Sequence, residues 1–214
     1  MRSFKQDKFK VLRKVISSEL VKFIYNYFLN KRKVAKFLFD KKFISPYTTY
    51  WGIWTDAQVP NTYSHYADLV METLLQELKG KMEKESGYKL FETYSYARIY
   101  KTGDVLHRHK DRYSCEVSTT INLGGEEWPI YLDATGKTGQ AGIKIILKPG
   151  DLLMYSGCDI EHWREAFPGK NCGQVFLHYN AAKKKDAATN KYDKRPFLRL
   201  PSWFKNLKSE TSKK

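Results

Sequence analysis

The spacing of the apolar residues changes at Gly87, and this change constrains the fold more than any other feature of the sequence. Upstream, apolar residues recur every three or four positions, which predicts helices over about residues 18–39 and 65–85. Downstream, short apolar or alternating runs are separated by turns that contain glycine or proline. The pattern predicts an α+β chain with about eight strands, in a sandwich or jelly-roll barrel that the N-terminal helices buttress from one side.

The composition is that of a single folded domain. Of the 214 residues, 42% are hydrophobic and 15% aromatic, which is enough to bury a core. The three cysteines form no C-x-x-C pair, which argues against a disulfide framework or a cysteine zinc site and favours a reducing compartment. No apolar run approaches the roughly 20 residues of a membrane span, and no signal-type apolar core follows the basic N-terminus. We therefore predict a soluble, cytoplasmic protein without membrane contact.

The chain is strongly basic, with a formal net charge of +15. This balance favours an anionic partner such as nucleic acid or an acidic protein, although lysine clusters near chain ends are more commonly solvated surfaces. We interpret residues 1–182 as one domain, with helical support over about 13–87 and the jelly roll over about 88–182. Residues 183–214 then form a lysine-rich C-terminal extension. The sequence predicts no particular oligomeric state.

His109 and Asp111 form an H-x-D sequence at the end of a predicted strand. Side chains two positions apart in an extended segment point to the same face, so this imidazole and this carboxylate can reach one metal ion. His162 lies at the end of a later strand, which in a jelly roll can return beside the first. Two histidines and one carboxylate leave the opposite face of a metal open, which is typical of non-haem iron(II) oxygenases. We therefore predict that His109, Asp111 and His162 bind iron(II).

Residues 90–180 resemble the iron(II)- and 2-oxoglutarate-dependent dioxygenases, and most closely their prolyl-4-hydroxylase-like branch. The stretches that carry the resemblance are RIYKTGDVLHRHKD (98–111), KPGDLLMY (148–155), HWRE (162–165) and QVFLHYN (174–180). Tyr100, Gly103 and His109 match the family's spacing of tyrosine, glycine and H-x-D. The resemblance implies a double-stranded β-helix with the metal triad at its open mouth. It also implies iron(II), 2-oxoglutarate and O2 as cofactor and co-substrates, ascorbate as a reductant, and a hydrogen bond from Tyr100 to a carboxylate of 2-oxoglutarate.

The chain departs from the family at one position. Prolyl hydroxylases usually carry a lysine or arginine about ten residues after the second histidine, where it pairs with the distal carboxylate of 2-oxoglutarate. Here that place falls on residues 171–172, an asparagine and a cysteine. A buried carboxylate needs a cation, and Arg164 is the first candidate because it shares a strand face with His162 and can form a bidentate pair. Lys170 and Arg98 are the other candidates, and Thr120 could add a hydroxyl contact.

The substrate is predicted from the strand that carries Tyr100. Tyr96, Arg98 and Tyr100 occupy every second position of the strand and so share one face, and we expect Tyr96 and Arg98 to line the cleft. Tyr94 shares that face too, but ordinary sheet packing is the stronger interpretation for it. The resemblance favours a protein or peptide substrate that is hydroxylated on proline. Two alternatives remain open: a nucleic-acid demethylase of the alkylation-repair type, which fits the basic charge, and a non-catalytic basic binding module. Demethylases of the alkylation-repair type are expected to carry two arginines on the last strand, and residues 174–180 contain none.

Overall fold

The computed structural model describes residues 3–135 and 139–205, in which three α-helices lie among ten strands. Helix α1 covers Phe4–Asp7, α2 covers Ser18–Asp40 and α3 covers Leu69–Ser86. The side chain of Ser17 caps α2 by accepting a hydrogen bond from the amide of Leu20. Asp68 caps α3 through two amides, and Gly87 ends it in a left-handed conformation.

The predicted start of the second helix, at residue 65, is wrong by four residues. Residues Tyr63–Tyr66 are extended and form strand β2. Asp68 sets the start of α3 because its carboxylate satisfies the amides of Val70 and Met71, which have no partner within the helix. The helical series of apolar residues had been counted from Ala67, which lies between β2 and α3 and has a positive φ of 59°.

The strands form two antiparallel sheets. A six-stranded sheet has the order β1-β8-β5-β10-β3-β2, and a four-stranded sheet has the order β4-β9-β6-β7. Besides β2, the strands are β1 Phe9–Leu12, β3 Leu90–Tyr100, β4 Leu106–His109, β5 Val117–Gly125, β6 Ile130–Asp133, β7 Ile143–Ile145, β8 Leu152–Ser156, β9 Glu161–Arg164 and β10 Cys172–Ala181. Strands β3 to β10 are the eight predicted from the sequence, and the double-stranded β-helix supported by N-terminal helices is confirmed. Of the other two strands, β2 lies in the part of the chain that we assigned to helical support, and β1 lies just before it.

The six-stranded sheet separates two parts of the core. Along β8, Leu152 and Met154 pack towards α2 and α3, whereas Leu153 and Tyr155 pack between the two sheets. This alternation follows from the two-residue period of a strand. The four-stranded sheet therefore rests on a packed layer, and it carries two of the predicted metal ligands.

The chain after β10 runs back along the sheet to α3. Arg195 forms an ion pair with Glu72 of α3, with Nη2 2.7 Å from Oε1 and both side chains fully buried. Residues 206–214 of the predicted extension lie outside the described residues, and the domain boundary at residue 182 stays a prediction. Within the described ranges, no helix combines the length and the apolar character needed to cross a membrane.

Candidate metal centre

His109 and His162 face each other across paired strands. His109 is the last residue of β4, His162 lies in β9, and the register places them directly opposite, with ring centroids 4.2 Å apart. Asp111 lies just beyond β4, where its amide donates to the carbonyl of Gly157 at 2.8 Å. Its Oδ1 atom is 3.7 Å from Nε2 of His109 and 3.5 Å from Nε2 of His162. The structure therefore brings together the three predicted ligands, and metal binding by them stays a prediction.

Both imidazoles are held with the same nitrogen turned towards Asp111. Nδ1 of His109 is 2.7 Å from the carbonyl of His107, and Nδ1 of His162 is 3.1 Å from the carbonyl of Ile160. A carbonyl can only accept, so Nδ1 carries the proton and Nε2 presents its lone pair. Burial, followed by the nearby His162, lowers the pKa of His109 and favours the neutral form that binds metals.

The second oxygen of Asp111 is engaged by the protein. Ser118 Oγ donates to Oδ2 at 2.7 Å, and the same hydroxyl lies 3.0 Å from Nδ1 of His178. Burial alone would raise the pKa of Asp111, but its interactions with His162, with His178 and with the Ser118 hydroxyl outweigh burial and lower the pKa. Asp111 is therefore an anion with Oδ1 directed to both histidines.

A second group of potential ligands shares Asp111. Asp111, Cys115 and His178 also lie close enough to hold one ion. The Cys115 thiol lies 3.0 Å from the hydroxyl of Tyr94, and burial raises its pKa well above the ordinary value. A protonated thiol is a poor ligand. The donor set of His109, Asp111 and His162 suits a divalent ion such as iron(II) better.

A cavity of about 220 Å³ opens beside the three predicted ligands, which form part of its lining. The predicted cleft residues Tyr96, Arg98 and Tyr100 line it, and so does Tyr94, which we had assigned to sheet packing. Sequence reasoning missed further lining residues, which come from a loop after α2 and from β8 and β10. These are Asp56, Gln58, Tyr155, Phe176 and His178. No motif marks the loop residues, because they reach the cavity through the path of the chain between α2 and β2.

The charge of Arg98 is balanced inside the cavity. Its Nη2 atom lies 2.5 Å from Oδ2 of Asp56, and Nη1 donates to Gln58 and to the hydroxyl of Tyr100. Gln58 in turn lies 3.2 Å from Nε2 of His109. The loop that carries Asp56 and Gln58 therefore contacts His109 and neutralises Arg98.

Arg164 is buried without a carboxylate partner. Its Nη1 donates to the carbonyl of Trp128, whereas Nε and Nη2 have no hydrogen-bond partner, and no ion pair joins it to the described residues. The guanidinium lies 4.9 Å from the Trp128 ring, which packs against Tyr100 at 4.7 Å. Burial lowers the pKa of Arg164, while the nearby Cys172 opposes this shift. A buried cation in this state favours an anion that binds beside it.

The remaining candidates for 2-oxoglutarate binding are placed differently. Lys170 is exposed, and its amide donates to Glu126. Thr120 is buried and donates to Gln174 at 3.2 Å. Neither Arg164 nor Thr120 lines the cavity itself, although Tyr100, beside Arg164, does. The roles of Tyr100, Arg164 and Thr120 in binding 2-oxoglutarate stay predictions.

Comparison with known proteins shows similarity at the level of structure only. No family model and no curated protein matches the sequence. A prolyl-4-hydroxylase from Pseudomonas putida is 11% identical with a TM-score of 0.59, covering 83% of this chain and 94% of that one. HygX from Streptomyces hygroscopicus, solved with nickel, 2-oxoglutarate and hygromycin B, is 13% identical with a TM-score of 0.60, covering 86% and 89%.

A third similar structure contains a peptide. A prolyl hydroxylase from Trichoplax adhaerens, in complex with a hypoxia inducible factor peptide fragment, is 13% identical with a TM-score of 0.57. The match covers 84% of this chain and 86% of that one. At such identities the comparison establishes the fold, so this chain has the double-stranded β-helix fold of these three structures.

Proposed function

We propose that this protein is an iron(II)- and 2-oxoglutarate-dependent hydroxylase. The observation that carries the proposal is the convergence of His109, Asp111 and His162, with both Nε2 atoms facing Oδ1 of Asp111 at the base of a cavity. The two Nδ1 atoms are hydrogen-bonded to backbone carbonyls, so the protein itself orients the two Nε2 donor atoms. Such support of the ligating side chains is characteristic of protein metal sites.

The chain's own residues would hold the metal and shield the reaction. His109, Asp111 and His162 would supply three ligands, and the loop with Asp56 and Gln58 would keep water out. When bound, iron(II) with O2 couples the oxidation of 2-oxoglutarate to succinate and CO2 to the insertion of one oxygen atom into a C–H bond of the substrate. The contribution of the protein is to place the substrate next to the metal face that the three ligands leave free.

Arg164 and Tyr100 are the residues that we propose for 2-oxoglutarate. Arg164 has two buried donors without partners, and a carboxylate would satisfy both in a bidentate pair. Asn171 and Cys172 occupy the place where the family that this chain resembles has its cation. Cys172 lies opposite Tyr100 in the sheet and close enough to Arg164 to interact with its charge. Arg164 on β9 would thus take the role of the cation that the family carries on its last strand. Thr120 on β5 would add a hydroxyl contact.

The substrate that we propose is a prolyl residue in a peptide or protein. Aromatic side chains form the cavity walls, namely Tyr94, Tyr96, Tyr155 and Phe176. Such surfaces suit the apolar ring of proline. A structure with the same fold binds a peptide, which supports a peptide substrate for this chain. The net charge of +15 keeps a nucleic-acid substrate as the second candidate.

The experiment is a turnover assay with iron(II), 2-oxoglutarate and ascorbate. Proline-rich peptides and single-stranded oligonucleotides would be offered in parallel, and mass spectrometry would detect the gain of one oxygen atom. We expect a product on proline together with succinate in equal amount. His162→Ala should lower turnover by about 1,000-fold, because a catalytic metal contributes several kcal/mol to transition-state stabilisation.

The matched control is His107→Ala. His107 lies on β4, which pairs with the strand of His162, and its side chain is exposed. Its backbone carbonyl, which holds His109, is unchanged by the substitution. This variant should keep wild-type turnover. Full activity in folded His162→Ala would refute the metal assignment, and oxidation of the oligonucleotide alone would replace the prolyl substrate with the nucleic-acid one.

A further inference from the structure

The segment after β10 contacts the loop that carries Asp111. Asp193, which is 2% exposed, forms a bidentate ion pair with Arg112, the residue that follows Asp111. Oδ1 of Asp193 lies 2.7 Å from Nη1 of Arg112, and Oδ2 lies 2.9 Å from Nη2. A planar guanidinium bound in this way is fixed in orientation as well as position.

Arg112 is held from two other directions. Its Nη1 atom also lies 2.5 Å from Oγ of Ser114, which itself donates to Oδ1 of Asp193 at 2.7 Å. The guanidinium packs against the ring of Tyr94 at 4.7 Å. Tyr94 in turn packs against His178 at 4.6 Å, and Ser118 joins His178 to the second oxygen of Asp111. Asp111 is thus reached from both sides, through the chain to Arg112 and through Ser118.

The backbone around Asp193 is held in an unfavourable conformation. Tyr192, Asp193 and Lys194 all have positive φ, at 55°, 57° and 66°. Residues with side chains adopt this region reluctantly, so a run of three persists only where contacts fix it. Besides Arg112 and Ser114, Asp193 is bonded to Tyr66 at 2.7 Å and to Lys205 at 2.6 Å. These contacts hold the segment against the Asp111 loop.

We propose that Asp193 is a positioning residue for the metal centre, which it serves by fixing Arg112 and thereby Asp111. The C-terminal segment is then part of the metal site, although it supplies no ligand. The inference rests on the proposed function, because it concerns the affinity of that site for its metal. It predicts a specific effect of Asp193 on metal binding that a purely structural role would not produce.

The test compares cobalt(II) binding by the full-length protein and by Asp193→Asn. The amide keeps the shape and tolerates positive φ, but it removes the charge that holds Arg112. We expect about tenfold weaker cobalt(II) binding and an altered visible absorption spectrum of the bound ion, because outer partners of metal ligands typically contribute 10–100-fold to affinity. Both readouts are independent of turnover, and thermal unfolding would confirm that the variant is folded.

The matched control is Asp186→Asn. Asp186 lies on the same segment and also has positive φ, at 64°, but its side chain is exposed. This variant should bind cobalt(II) like the wild type. If Asp193→Asn does not fold, Arg112→Lys decides the question by the same measurement, since it keeps the charge and loses the bidentate geometry.

Two failures can be told apart. Wild-type protein that binds no cobalt(II) would overturn the metal assignment and the positioning role together. Tight binding by the wild type, with equal affinity and an identical spectrum in folded Asp193→Asn or in Arg112→Lys, would overturn the positioning role alone. A change in unfolding temperature without a change in affinity would count as the second outcome.

Discussion

Two arginine side chains are buried to a similar degree in this protein, and their surroundings differ. Arg195 lies between α3 and the C-terminal segment, where it pairs with Glu72 and donates to three backbone carbonyls. Arg164 lies near the cavity above the metal ligands, where it donates to one carbonyl and leaves Nε and Nη2 without partners. The first site is saturated by the protein itself, and the second is not.

The difference separates a structural charge from one that is available to a ligand. Moving a guanidinium out of water costs several kcal/mol of free energy unless an anion and hydrogen bonds replace its hydration. Around Arg195 the fold provides that replacement. Around Arg164 it does not, and the nearby cavity can admit an anion of small size. We expect substitutions at the two sites to separate stability from co-substrate binding.

The largest effect is expected at the saturated site. Glu72→Gln leaves the Arg195 charge buried without its partner, so the free energy of unfolding should fall by about 3–5 kcal/mol in urea denaturation. Cobalt(II) affinity of the folded fraction should not change. Glu77→Gln is the control on the exposed side of the same helix and should change stability by less than about 0.5 kcal/mol. A Glu72→Gln protein as stable as the wild type would remove the contrast between the two sites.

At the unsaturated site, the effect should fall on 2-oxoglutarate. Arg164→Met removes the proposed bidentate partner, so the KM for 2-oxoglutarate should rise by about 100-fold, which corresponds to about 2.7 kcal/mol. Stability should not fall as it does in Glu72→Gln, because no buried carboxylate loses its partner. Lys170→Met, at the exposed alternative, should leave the KM unchanged. An unchanged KM in Arg164→Met, combined with a raised KM in Arg98→Met, would move the assignment to Arg98.

A smaller effect concerns His178, a buried side chain whose charge, unlike that of an arginine, depends on pH. Burial lowers the pKa of His178 from 6.5 to about 4. The unfolded chain therefore takes up this proton first as the pH falls, and the stability contributed by neutral His178 is present above about pH 6.5 and lost towards pH 4. Between about pH 7 and pH 5, metal-free protein should lose about 2 kcal/mol of unfolding free energy through this residue. His178→Gln should lose correspondingly less over the same range, and an identical pH slope in both proteins would contradict this account.

The strands and the convergence of His109, Asp111 and His162 could be predicted because their signals are local. Alternating polarity and glycine turns mark β3 to β10, and the H-x-D spacing brings His109 and Asp111 together. The pairing of His109 with His162 needed only the expectation that a jelly roll returns a later strand beside an earlier one. Strands β1 and β2 were missed because no glycine or proline separates either of them from the helix that follows it.

The contacts that complete the site could not be read from the sequence. Asp56 reaches Arg98 across 42 positions, and Asp193 reaches Arg112 across 81. Neither acid belongs to a motif, and both are placed by the path of irregular chain rather than by a repeating pattern. Arg164 was predicted as a candidate because it shares a strand face with His162. Its lack of a carboxylate partner could not be predicted, because it depends on every surrounding element that the structure describes.

The short strand β1, at one edge of the large sheet, has a practical consequence for handling the protein. Strand β1 pairs with β8 over four residues, from Phe9 opposite Tyr155 to Leu12 opposite Leu152. A chain shortened to begin after Leu12 would leave the main-chain groups of β8 unpaired along an apolar strand. Such an edge is a template for strands from other molecules. Residues Phe9–Leu12, far in sequence from the residues that line the cavity, thus cover β8 against intermolecular sheet formation and aggregation.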